Sequence, residues 1–275
     1  MYEKVARGHA TAYLNKLPPH DRLLAWLDGA GGEMALYIFE KYCYSKKPGR
    51  VIKRLAPALS PILHSPRVLR WTRNDVTLMA IGYSNSTENQ IFQLPEDVQP
   101  LYSERAVFQT NVFFEYIAND GIGTSTIIVA SISHHAIARL VERGAVAPEQ
   151  LQESVPLLLD MCTNVALHAY ILDVGIFDLY SFMLPWNNGA FVMVFMEMDP
   201  NRESGGKERK QILSIRTYLN KEMLSTYDLE RIRGFPDGVW ALREEDEEIR
   251  RWLIGNARPW NFSETTLEIK ELDEF

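Results

Sequence analysis

The spacing of apolar residues changes character along the chain. Through the first ~70 residues it is helical. Leu23, Leu24, Trp26 and Leu27 cluster after Pro18-Pro19-His20-Asp21, with Asp21 placed to cap a helix start. Gly29-Ala30-Gly31-Gly32 breaks this pattern, and a second helix is expected to carry Met34, Leu36, Tyr37, Phe39, Tyr42 and Cys43. Pro48, Pro57, Pro61 and Pro66 then punctuate the stretch from Lys46 to Arg73, which reads as a short helix plus loops or a linker.

The middle of the chain suits a pleated surface. Residues 76–83, 106–117 and 124–132 are rich in β-branched and aromatic side chains, and Asn119 to Gly123 reads as a hairpin turn between the last two. A helix pair follows, over 133–143 and 148–170, joined by Gly144-Ala145-Val146-Ala147. Strands are expected again over 176–184, 190–198 and 211–219, with Asn187-Asn188-Gly189 as a hairpin turn. From Asp228 the chain reads as a helical, acidic tail that includes Glu244-Glu245-Asp246-Glu247-Glu248. Two clusters of strands with helices before, between and after predict an α+β fold with a mostly antiparallel sheet. The expected division is a helical region over 1–70 and an α+β domain over 71–275.

Composition narrows the function classes. Hydrophobic residues at 46% and charged residues at 24% describe a globular chain of 275 residues rather than a disordered one. A net charge of −7 argues against coating nucleic acid through bulk charge. Cys43 and Cys162 match no zinc or redox spacing, which fits a reducing cytoplasm. No apolar run approaches a membrane span, and the first residues lack a signal-peptide core, so the chain is expected to stay in the cytoplasm. No phosphate-cradling loop, dinucleotide fingerprint or nucleophile elbow is present. No metal and no cofactor are expected.

The stretch from Ser131 to Gly144 carries the chemistry. Ser133 is placed to cap a helix and Gly144 to stop it. Ile137, Leu140 and Val141 then share one side, while His135, Arg139 and Arg143, four residues apart, line one edge of the opposite side. Guanidinium forks bind phosphate oxygens at any working pH, and an imidazole moves protons near neutrality. Such a row suits attack of an RNA 2′-OH on its phosphodiester without metal. The same row also has an ordinary reading, a polar helix face on which Glu142 pairs with its neighbouring arginines. His134, next to His135, reads as a core-edge histidine satisfied by a backbone group. The helix pair also has helix-turn-helix spacing, but its second helix opens with acidic residues where phosphate contacts are needed.

The pattern His135-Ala136, Arg139, Arg143-Gly144 resembles the opening helix of a bacterial family of small uncharacterised domains. That family is grouped with the barnase–EndoU–colicin–RelE superfamily of metal-independent ribonuclease toxins. The resemblance covers residues 131–219. It implies a second helix and an antiparallel sheet whose last strand supplies a threonine, here Ile212 to Tyr218 with Thr217. It implies a toxin-type, bacterial or phage ribonuclease acting on single-stranded RNA, with a protein inhibitor as a further partner. Arg216, Thr217 and Tyr218 join the candidate catalytic residues as a group, because strand alternation leaves open which of them faces the helix. A basic segment, Lys46, Lys47, Arg50, Lys53, Arg54, Arg70 and Arg73, is a candidate nucleic-acid contact or a dock for the acidic tail. The alternative function is a non-catalytic protein that holds an anion or a protein partner on the same arginine-rich helix face.

Overall fold

The computed structural model describes residues 3–42, 49–73, 75–91, 104–117, 121–171, 180–198, 210–233 and 258–259. Four helices come first: α1 (Glu3–Leu14), α2 (His20–Leu27), α3 (Ala30–Tyr42) and α4 (Gly49–Leu59). Next come β1 (His64–Arg73), β2 (Asp75–Thr87), the one-turn α5 (Glu88–Ile91), β3 (Arg105–Ile117) and β4 (Gly121–Ser133). The helix pair α6 (His134–Glu142) and α7 (Leu151–Ile171) leads to β5 (Tyr180–Trp186), β6 (Gly189–Met198) and β7 (Lys210–Asn220). Helix α8 (Thr226–Ile232) and the two-residue β8 (Arg258–Pro259) close the described chain. The expected acidic run at Glu244 to Glu248 lies outside the described residues, as does the Asn119-Asp120 turn.

All the strands join one sheet in the order β1-β2-β3-β4-β7-β6-β5-β8. Every pairing is antiparallel except that of β4 with β7, which is parallel through Ala130↔Leu213, Ser131↔Ser214 and Ile132↔Ile215. The fold is α+β with a mostly antiparallel sheet. Alternate strand positions feed two separate cores on opposite faces. Ala80 pairs with Val112, and both pack with Leu23, Phe39, Leu55 and Leu59 of α2, α3 and α4. Tyr83 and Val107 pack instead with α1, α6 and α7. The division expected near residue 70 falls inside β1, and α1 lies against α6 in one core, with Ala6 and Ala10 beside Ile137 and Leu140.

Strand β1 corrects the expected linker. Prolines argued against a strand, yet Pro66 sits on the edge of the sheet, where a missing N–H is tolerated. A register shift between His64 and Arg67, with Ser65 at φ 48°, absorbs it. The glycine-rich stretch after α2 also differs from expectation, because α3 already begins at Ala30. Gly31 and Gly32 let its first turn press on Trp26 and on the Leu27 carbonyl, where a Cβ would lie 2.2 and 1.9 Å from those atoms. Asp21 does not cap α2: Pro19 is the capping residue, and the Asp21 carboxylate accepts the Arg22 N–H at 2.8 Å. No helix among the described residues is long and apolar enough to cross a membrane.

Candidate functional site

The parallel pairing of β4 with β7 places the start of α6 beside the last residues of β7. Ser133 joins them. Its Oγ accepts the Ala136 N–H at 3.1 Å, capping α6, and donates to the Arg216 carbonyl at 3.4 Å. Gly144 ends the helix at φ +69°, a left-handed position that suits glycine. Alternation would send Leu213, Ile215 and Thr217 to one face of β7. The register instead breaks at Arg216: Ile215 pairs with Met193 and Thr217 with Val192, leaving Arg216 as the extra residue of a bulge. Leu213, Ile215 and Tyr218 therefore share the core with α6 and α7. Thr217 falls on the other face with Val192, which packs toward Met183, Ala190 and Leu224.

The bulge aims Arg216 at α5. Its Nη1 donates to Glu88 Oε1, and Glu88 is fully buried. Glu104, just before β3, takes the Glu88 N–H on its backbone carbonyl at 2.9 Å and the His135 N–H on its carboxylate at 3.2 Å. Arg139, only 5% exposed, donates from Nε to His135 Nε2 at 3.4 Å and from Nη1 to Glu142 at 2.5 Å. Five ionisable residues from four separate segments thus converge: Glu88, Glu104, His135, Arg139 and Arg216.

Their protonation follows from burial. Burial pulls the His135 imidazole down to about 4; Glu104 opposes this, while Arg139, Arg7 and Arg216 add to it. The ring is neutral at neutral pH, with Nε2 as acceptor toward Arg139 and the proton on Nδ1. Burial pushes Glu88 up to about 7 against the pull of Arg216, with Glu104 adding to the rise. Its second oxygen, Oε2, has no hydrogen-bond partner among the described residues.

No family model, curated protein or solved structure matches the chain. The geometry alone therefore sorts the expected residues. His135, Arg139 and Arg216 come together. Arg143 does not join them: its Nη1 donates to the Tyr218 carbonyl and ties the end of α6 to β7. Tyr218 is a core residue, its ring 5.2 Å from that of Phe191 and its hydroxyl donating to the Trp186 carbonyl at 3.3 Å. Thr217 lies across the sheet from α6. His134 faces α1, its Nε2 within 3.0 Å of Thr11 Oγ1 and 3.3 Å of the Arg7 carbonyl.

Lys53 and Arg54 are exposed on α4, which also carries Arg50, and Arg70 and Arg73 belong to β1. Lys46 and Lys47 lie outside the described residues. Helix α4 covers the opposite face of the sheet from α6, so Lys53 and Arg54 stand across the sheet from the His135 cluster. No group of three or more His, Cys, Asp or Glu able to hold a metal occurs among the described residues.

Glu88 and Glu104 were not legible as site residues. One local signal was present: Thr87-x-x-Gln90 has capping-box spacing, and the Gln90 side chain accepts the Thr87 N–H at 3.4 Å. That spacing locates the start of α5 and hence Glu88. Nothing local marks Glu104.

Proposed function

We propose that the His135 cluster is a metal-independent acid–base site and that its substrate is the phosphodiester of single-stranded RNA. The observation that carries this reading is the contact of a neutral His135 imidazole with the Arg139 guanidinium, within the electrostatic reach of Arg7 and of the Glu88-held Arg216. In this reading a phosphate displaces Glu142 from Arg139, and the Arg139 Nε–H turns to a phosphate oxygen. That frees His135 Nε2 to take the 2′-OH proton. The O2′–P bond forms as P–O5′ breaks, and His135 returns the proton to the leaving O5′. Arg139 and Arg216 offset the charge gathering on the phosphorane. Glu88 is buried away from solvent and acts as a positioning residue for Arg216; an anion beside that arginine drives Glu88 to take up a proton. A bacterial or phage toxin is the biological setting that the motif resemblance suggests.

The test is cleavage of single-stranded RNA in EDTA by the wild-type chain and by His135→Ala, with circular dichroism to check the fold. The reading expects cleavage that the variant loses while folded. Activity unchanged in the variant would falsify the role of His135.

A second reading is favoured by how the guanidinium groups are partnered. Arg139 is held by Glu142, Arg143 by the Tyr218 carbonyl and Arg216 by Glu88. On that reading the cluster is a polar seam locking α6 to β7 in a non-catalytic binding protein. It predicts no cleavage by the wild-type chain.

A further inference from the structure

We infer that the cleft between the start of α2 and the β2–α5 connection is a binding site for a small molecule bearing an oxyanion, a carboxylate or a phosphate group. The cleft has a volume of about 370 Å³, within the range of small-molecule sites. It does not depend on the ribonuclease reading: Glu88 and Glu104 serve the α6 cluster, whereas their neighbours Thr87 and Arg105 line this cleft.

Arg105 supplies the positive charge of the cleft. Its Nη1 donates to Asn15 Oδ1 at 2.7 Å and its Nη2 to Asn85 Oδ1 at 3.0 Å. Both partners are neutral amides, and no carboxylate pairs with Arg105 among the described residues. The guanidinium is thus held by two neutral amides, and among the described residues Asp21 is the one carboxylate that shares the cleft with it. A guanidinium has about five N–H donors, so several remain for a ligand after two are used. Asn85 is itself fixed, its amide donating to the Leu17 carbonyl at 2.6 Å.

His20 supplies the second observation. It lines the cleft at 6% exposure, with Nδ1 committed to Ser84 Oγ at 3.0 Å and no partner for Nε2 among the described residues. When the Ser84 hydroxyl donates to Nδ1, the ring carries its proton on Nε2 and donates to the ligand. The backbone start of α2, whose capping position is Pro19 without a side-chain cap, adds the positive end of a helix dipole to the same wall. Leu24 and Ile91 give the cleft an apolar side, which suits a ligand with a short hydrocarbon arm. Asp21 also lines it, its Oδ1 occupied by the Arg22 N–H; its charge limits affinity for any anion.

The test is a titration of the full chain with inorganic phosphate, acetate and hexanoate at constant ionic strength, following the ring signals of His20 by NMR. The expected result is a saturable shift with at least one probe. Saturation by phosphate assigns a phosphate-bearing ligand. Saturation by the acids, tighter for hexanoate, assigns a carboxylic acid whose arm rests on Leu24 and Ile91. Arg105→Gln should weaken binding about tenfold or more, from the loss of charge-assisted bonds. Asp21→Asn, which leaves Arg105 and its two amides in place, should tighten it about threefold. No saturable shift with any probe overturns the proposal. So does an affinity that Arg105→Gln leaves unchanged. Should that variant fail to fold, an unchanged affinity in Asp21→Asn overturns it instead.

Discussion

Glutamine in place of Glu88 should expose a cancellation hidden in the wild-type protein. The folded state raises Glu88 from 4.5 to about 7 and lowers His135 from 6.5 to about 4. At roughly 1.4 kcal/mol per pH unit, each displacement corresponds to at most roughly 3 to 4 kcal/mol, less for His135 because solvent reaches part of the ring. The signs are opposite. The folded protein favours neutral Glu88, so its stabilisation is complete below pH 4.5 and is lost as pH rises to about 7. It also favours neutral His135, so that stabilisation is present above pH 6.5 and is lost as pH falls toward 4. In the wild-type chain the two oppose each other across this window. Glu88→Gln leaves only the His135 contribution, so relative to wild type its stability should climb by up to roughly 3 to 4 kcal/mol as pH rises through the window. His135→Asn should fall by a similar amount over the same range. Urea unfolding at half-unit pH steps measures all three profiles, and subtraction removes every other titrating group. Three parallel profiles would mean that neither group sits in the environment described.

Other substitutions probe the frame around the cluster. Ser133→Ala removes the cap of α6 and the bond to the Arg216 carbonyl, and should cost about 1 to 2 kcal/mol in chemical unfolding. Gly144→Ala meets no atom within 4 Å, so its cost of about 1 kcal/mol should reflect only the φ of +69°. Arg143→Met leaves the Tyr218 carbonyl without its donor and should lower stability by roughly 1 to 3 kcal/mol, read as a drop in thermal midpoint. Arg216→Met isolates the buried Glu88 carboxyl and should lose more, about 3 kcal/mol or above near neutral pH, whereas Glu88→Leu with Arg216→Met should recover most of it.

Local signals in the sequence located what local physics determines. Ser133 and Gly144 bound α6 as their chemistry requires, and Asn187, at φ 47°, forms the two-residue turn that pairs Trp186 with Gly189. Where a position depends on distant partners, the sequence was silent or misleading. β1 is a strand because it pairs with β2 at an edge that tolerates Pro66. Tyr218 reaches the core only because a bulge at Arg216 shifts the alternation of β7. Glu88 and Glu104 are brought to His135 by the sheet, across 47 and 31 positions of sequence, and no spacing rule spans such separations. The helical row of His135, Arg139 and Arg143 was visible; that Arg143 is spent on a backbone carbonyl was not.

The proposed reaction begins with attack by a ribose 2′-hydroxyl beside His135 and its two arginines. An oligoribonucleotide and its fully 2′-deoxy counterpart, incubated with the protein in EDTA and resolved by mass spectrometry, test it most directly. The expected result is cleavage of the ribonucleotide alone, leaving a 2′,3′-cyclic phosphate on one fragment and a 5′-hydroxyl on the other. Intact RNA, or equal cutting of both strands, would contradict it.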